Sequence, residues 1–253
     1  MPTYIDLSAP LVPTPEGLPD LLSVKVEKSG HGEGAEAIST MLGVDRELLR
    51  DGEGWAVETI ALGTHNTTHV DAPWHYNSRI AGSPAATIDE IPLDWFHGPG
   101  VVIDATGRED GDAVTVDDLE RGLAAAGHRL MAGDVVLVRT GCDAFLGDPS
   151  YMAHGCGVTA EATVWLCDRG VRLMGIDAWG WDRPLHLQAE EARATGSKGV
   201  FWAAHQCDRA YCQIERLAGL DRLPATGFEL FAFPLKVVGG SAGPARVVAI
   251  IPD

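Results

Sequence analysis

The chain has 253 residues, 45% of them apolar and 22% charged, with a formal net charge of −17. Its length suits one compact unit with a sizeable core, its composition excludes disordered and fibrous classes, and no run of 18 apolar residues suggests a membrane-spanning helix. So acidic a surface would be repelled by phosphate backbones and anionic lipids, so the expected partner is a small-molecule substrate, with no nucleic acid and no membrane.

The opening MPTYIDLSAPLVPTP has neither a basic lead nor a long apolar run, so it does not read as a secretory signal, and a cytoplasmic setting is expected. Within it, Tyr4–Leu7 reads as a strand, and the Pro-rich remainder of the first 20 residues as ordered coil. Trp55–Leu62 reads as a second strand, Asn77–Pro92 as ordered coil that packs down, and Val101–Ala105 as a third strand. Thr115 can cap a helix over Val116–Ala126, with Asp117 and Asp118 in its first turn and Gly127 just past its end. Val135–Thr140 follows as a strand, then a helix over Ala160–Arg169, capped by Thr159 and stopped by Gly170. Arg172–Ile176 is a strand, Gln188–Ala194 a third helix, and Phe228–Phe233 and Arg246–Ile251 the closing strands. Most of these strands are β-branched and continuously apolar, as expected when both faces are covered. Alternation of strands and helices predicts an α/β or α+β layered architecture. Gly239-Gly-Ser-Ala-Gly243 reads as a turn, and no GxGxxG follows any strand, which excludes a dinucleotide-binding oxidoreductase.

Five cysteines (Cys142, Cys156, Cys167, Cys207 and Cys212), an odd number without CxxC spacing, argue against a disulfide framework or a thiolate zinc knuckle. Cys142, Cys167 and Cys212 sit among apolar neighbours and are expected to be buried thiols.

The informative segment is Gly63-Thr-His-Asn-Thr-Thr-His-Val-Asp-Ala-Pro-Trp-His-Tyr76, which places His65, His69, Asp71 and His75 within eleven residues. Imidazole and carboxylate suit a borderline or hard divalent ion, zinc or manganese. A cation held by His65, His69 and Asp71 keeps positions open for water and substrate, unlike a closed structural site or a non-catalytic binding module. As one flat strand the segment would separate His65 from His75 by about 33 Å at ~3.3 Å per residue, so a shared ion requires a bend, expected at Asn66. Beyond the bend, an extended His69-Val-Asp71 aims two donors the same way, and Pro73 keeps Ala72 extended before the chain turns. The alternative is a row of satisfied histidines on a strand edge.

This segment resembles the H-x-G-T-H-x-D-x-P-x-H signature of the cyclase family, which includes bacterial kynurenine formamidase and isatin hydrolase. The match covers His65, Thr68, His69, Asp71, Pro73 and His75, with Thr67 in place of the usual glycine. Ile5-Asp-Leu-Ser8, Gly175-Ile-Asp-Ala178 and Gly243-Pro-Ala-Arg246 are similar to the family's opening, middle and closing strands. The resemblance implies a swivelling β/β/α fold in a single domain and assembly into homodimers or homotetramers. It also implies that His205 and Glu215 hold a second metal ion or relay a proton; the other reading of these two is a helix-face histidine and a glutamate opening a surface helix. Their spacing is two residues shorter than in the formamidases.

The chemistry implied is hydrolysis of an amide or lactone bond by metal-activated water, with His75 as general base and then acid. Metal-assisted cyclisation, dehydration or isomerisation through an enolate would use the same donors. Asp177 and Asp182, beside a Trp-Gly-Trp turn, read first as turn caps and second as groups that orient a ligand. Trp74, Trp179, Trp181 and Trp202 read as core residues that could also wall a flat apolar pocket. His31, His97, His128, His154 and His186 read as surface or core residues.

Overall fold

A computed structural model describes residues 1–14 and 22–253. The part of the Pro-rich opening expected as coil that falls on residues 15–20 lies outside the described residues. Numbered along the chain, the strands are β1 (Thr3–Asp6), β2 (Val24–Ser29), β3 (Val57–Leu62), β4 (His69–Asp71), β5 (Arg79–Ile80), β6 (Ser83–Pro84), β7 (His97–Asp104) and β8 (Ala113–Val114). They continue with β9 (Val135–Arg139), β10 (Gly157–Val158), β11 (Leu173–Ile176), β12 (Cys212–Glu215), β13 (Thr226–Phe231), β14 (Ala242–Pro244) and β15 (Val248–Ile251). The α-helices are α1 (His31–Leu42), α2 (Pro73–Tyr76), α3 (Val116–Ala125), α4 (Ala160–Asp168) and α5 (Leu185–Thr195).

These elements fall into two compact units, Leu11–Asn66 and Met1–Pro10 with Thr67–Asp253. The smaller one is an antiparallel β2–β3 ribbon, in register from Val24↔Leu62 to Ser29↔Val57, together with α1. Here β3 is largely exposed, unlike most of the strands expected, because its Val-Glu-Thr-Ile-Ala-Leu pattern is not continuously apolar and β2 is its only strand neighbour among the described residues. Helix α1, absent from the sequence reading, ends at Gly43 in the left-handed conformation (φ 65°).

The larger unit is built on one nine-stranded sheet in the order β1-β15-β13-β7-β9-β11-β12-β4-β14. Its centre, β7-β9-β11-β12, is parallel, and antiparallel strands flank it on both sides. Alternate residues of β9 divide between two cores: Val136 and Val138 pack with Leu119 and Leu123 of α3 and Leu166 of α4. Val135 and Leu137 pack on the other face with Val70, Ile214 and Leu230. Truncating a fully buried residue such as Leu137 to Ala costs about 2–5 kcal/mol. This is the layered mixed α/β class that the alternation of elements implied. The stretch Asn77–Pro92 is mainly coil around the small β5–β6 hairpin, and Ile80, Ala85, Ile88 and Ile91 bury it as expected.

Capping follows the sequence. The Thr115 Oγ1 accepts from the Asp118 N–H (3.4 Å) while Asp118 accepts from the Thr115 N–H (2.8 Å), a reciprocal box. Thr159 Oγ1 accepts from Ala162 N–H at 3.1 Å. α5 begins at Leu185, three residues ahead of expectation, because Pro184 serves as its N-cap. The glycine-rich 239–243 stretch is a turn only in part: Ala242–Pro244 is the sheet's edge strand, where proline is tolerated.

Candidate metal centre

Strand β4 lies between β12 and β14, with His69 opposite Glu215 and Asp71 opposite Gln213. Side chains alternate, so His69 and Asp71 share a face with Gln213 and Glu215, while Val70 and Ile214 enter the opposite core. All four polar residues are buried. The strand is pinned at its start by Thr68, whose hydroxyl donates to the Arg216 carbonyl (2.6 Å) and accepts from the Ala9 N–H (2.8 Å).

The His69 Nδ1 donates to the Thr67 carbonyl at 2.6 Å, so Nε2 is turned toward Asp71 Oδ1 (3.2 Å) and Glu215 Oε2 (3.7 Å). One donor atom from each of His69, Asp71 and Glu215 lies within 4.8 Å of the other two. A ring with one nitrogen fixed on a carbonyl and two carboxylates beside the other is the arrangement that metal-ligating histidines adopt. Burial alone would lower the His69 pKa, but the charges of Asp71 and Glu215 raise it above the usual imidazole value. A divalent cation would neutralise the same carboxylates in place of that proton. Gln213 adds a buried Oε1 that has no hydrogen-bond partner among the described residues. Donor types, burial and spacing fit a divalent ion.

Glu215 bridges to a second histidine. Its Oε1 lies 3.5 Å from His205 Nε2 and accepts the Trp181 N–H at 3.0 Å. The far side of the His205 ring is held by Asp182, whose Oδ2 lies 2.5 Å from Nδ1 and 3.0 Å from the His205 N–H. Asp182 Oδ1 takes the Ala204 N–H at 3.0 Å, so one carboxylate fixes both the backbone and the ring. Trp202 stacks on that ring, centroids 4.8 Å apart and 12° from parallel. Burial works against a charge on His205, yet the hydrogen bonds and charges of Asp182 and Glu215 outweigh it and hold its pKa up at about 10. The surface-helix reading of Glu215 is overturned, since it ends a buried strand. His205 sits in a turn, not on a helix face.

His75 is on the one-turn helix α2, where extended Ala72 and Pro73 at the first position turn the chain as expected. A His75 ring nitrogen and an Asp71 carboxylate oxygen approach within 4.8 Å, closer than continued extension would allow. Its ring is 5.1 Å from Trp202 and 6.0 Å from His205. His65 belongs to the Leu11–Asn66 unit, half-buried in a turn closed by the Asn66 N–H on the Gly63 carbonyl (3.1 Å), so the chain bends where the spacing required it.

Asp177 does what its first reading gave it: it caps the end of β9 by accepting from Thr140 N–H (2.6 Å), Thr140 Oγ1 (2.6 Å) and Gly141 N–H (2.9 Å). Trp181 is fully buried and donates to Thr163, whereas Trp74 is exposed. Of the five histidines set aside, His31 bonds Gly54 O, His128 pairs with Asp134 and His154 with Asp110, while His186 is exposed.

The sequence reading missed Arg216. It follows Glu215 in left-handed backbone (φ 59°), is only 7% exposed, and lays its guanidinium 3.6 Å over the Trp179 ring. A cation–π contact of this kind contributes about 0.5–2 kcal/mol, against several kcal/mol for removing a charge from water. Burial accordingly lowers its pKa, and Glu215, Tyr151 and Asp71 restore only part of it.

The model of the family described as Cyclase, putative cyclase, matches residues 5–183. The chain belongs to this family. Isatin hydrolase of Roseibium aggregatum is 31% identical over 216 residues, 81% of this chain and 79% of that protein. Kynurenine formamidase of Paracidovorax citrulli is 33% identical over 198 residues, 78% of this chain and 80% of that protein. The crystal structure of an isatin hydrolase bound to the product analogue thioisatinate superposes with a TM-score of 0.76 at 25% identity, over 100% of this chain and 93% of that one. With such relatives along most of its length, this member of the family is a metal-dependent hydrolase.

Proposed function

We propose that the chain hydrolyses an amide bond, a formamide or a cyclic amide, in a small aromatic substrate. The observation that carries this reading is the buried convergence of His69, Asp71 and Glu215 within 4.8 Å on one face of the sheet. The relatives that act on isatin and on a formylated kynurenine supply the substrate class. A lactone is the remaining ester counterpart of the same chemistry.

His69 and Asp71 hold the cation, and the H-x3-H-x-D spacing adds His65 as their partner. A divalent ion there supplies Lewis acidity toward a carbonyl oxygen and acidifies water. Zinc is the first choice for this donor set and manganese the second, in one or two sites, since Glu215 reaches from His69 toward His205. His75 takes the proton of the attacking water and returns it to the leaving nitrogen. The Asp182–His205–Glu215 chain keeps the Glu215 carboxylate in place and gives a route for a proton to leave.

The chain works in the cytoplasm as a homodimer or homotetramer on this reading; the exposed Met41, Leu42, Leu48, Trp55, Val57 and Ile60 of the Leu11–Asn66 unit supply apolar surface for such contacts. Light scattering of the eluting species reads the assembly. The decisive assay pairs elemental analysis of the purified protein with turnover of isatin and N-formyl aromatic amines before and after chelation. Activity that survives removal of all bound metal would overturn the proposal.

A further inference from the structure

Arg216 carries the inference. Its side chain is more than nine-tenths buried, yet its Nε has no hydrogen-bond partner and no carboxylate lies within ion-pair distance of its guanidinium among the described residues. The arginines that do form salt bridges, such as Arg108 with Asp118 and Arg246 with Asp6, lie closer to the surface. Guanidinium cannot escape burial by losing its proton at neutral pH, so a buried one calls for an anion.

The placement says where that anion would be. Arg216 follows the carboxyl end of β12, and Trp179 lies three residues past the carboxyl end of β11. Parallel strands of an α/β sheet bind ligands at that end. The backbone is fixed on both sides, with the Arg216 N–H on the Ala178 carbonyl (3.1 Å) and its own carbonyl receiving the Thr68 hydroxyl (2.6 Å). Trp179 supports one face of the guanidinium and leaves the planar edge to bind. Through Thr68 and Glu215 the same residue is tied to both strands that bear the metal donors.

We propose that Arg216, stacked on Trp179, is the binding point for a carboxylate of the substrate or product. The proposal rests on the amide-hydrolysis reading for its chemistry: when water opens a cyclic amide, the C–N bond breaks, a C–O bond forms, and a neutral carbonyl becomes a carboxylate beside a freed amine. A formamide of an amino acid brings its carboxylate with it. An arginine reserved for that charge selects anionic products and acidic substrates over uncharged aromatic amides.

The test measures binding, not turnover. Calorimetric titration of the metal-loaded protein would compare phenylglyoxylate with 1-phenyl-1,2-propanedione, its uncharged counterpart, neither of which contains an amide. Arg216→Met is expected to weaken phenylglyoxylate at least tenfold, to leave the dione within twofold, and to keep or raise Tm, since a buried charge without a partner has been removed. Arg216→Lys, which keeps the charge without the planar fork, is expected to lose part of the same affinity and serves as the second variant if the Met protein does not fold. Phenylglyoxylate binding within twofold of the unaltered protein in the folded variant would overturn the assignment. Arg216-dependent binding in a protein that hydrolyses no amide would overturn the amide reading alone, whereas amide turnover with binding indifferent to Arg216 would overturn this proposal alone.

Discussion

Asp71 and His75 stand within 4.8 Å of each other and are assigned different work, which makes them separable. Asp71→Ala removes a buried charged donor, so the purified variant is expected to contain little bound metal by elemental analysis. His75→Ala is expected to keep its metal and lose about 10²–10⁴-fold in kcat, the usual range for a missing acid–base group. Metal lost equally from both variants would make His75 a ligand instead. The motif made these residues legible, because four donor residues at ligand spacing in eleven positions stand out in a linear string. Asp182 and Arg216 were not legible in that way. Asp182 meets His205 across 23 positions and Arg216 meets Trp179 across 37, and nothing in their local sequence announces either partner.

At the scale of elements, the readable ones were those with a local cause. Thr115 and Asp118 build a capping box from a four-residue pattern. Thr115→Ala is expected to cost about 1 kcal/mol in urea unfolding without changing kcat, since α3 bears no site residue. A loss of activity at unchanged stability would contradict that division. Strand β4 was legible as the extended His69-Val-Asp71, but β12 escaped notice for the opposite reason. It carries two buried polar side chains, Gln213 and Glu215, where the apolar alternation of a strand should appear, so a residue of the site helped erase the signal of the strand that holds it. The same competition hid α1, in which Gly32 and Gly34 dilute the helical pattern.

For the whole molecule, the charge of −17 and the hydrogen-bonded carboxylates make opposite predictions in acid. Relief of repulsion would stabilise the protein as pH falls. Asp118, despite some burial, is held below the usual carboxylate pKa by Thr115, Arg108 and Arg121, and backbone and side-chain hydrogen bonds from Thr106 do the same for Asp104. Asp110 is lowered chiefly by the Gly155 N–H, and Asp6, against its burial, by Arg246. For such groups the unfolded chain binds protons first, so their stabilisation is full above the unfolded value of about 4 and is lost as pH falls through the lower folded values. Asp177, raised by burial, works in the other sense, as do His69 and His205, raised against their burial by neighbouring carboxylates, but Asp89, Asp148, Asp168 and Asp182 are also lowered and join the first group. Tm is therefore expected to be lower at pH 3.5 than at pH 7; an equal or higher value would show that repulsion dominates.

By itself the sequence determined the layered α/β class, the capped helices, the apolar strands and the His-Asp motif with its chemistry. Each of these depends on neighbours within about a dozen positions, where periodicity, capping and ligand spacing act directly. Only the tertiary structure decided that Glu215 stands opposite His69, that Asp182 grips His205, and that Arg216 is buried without an acid. Those relations arise from strand register and sheet order, which bring distant segments to one face and leave no trace in the local pattern of either.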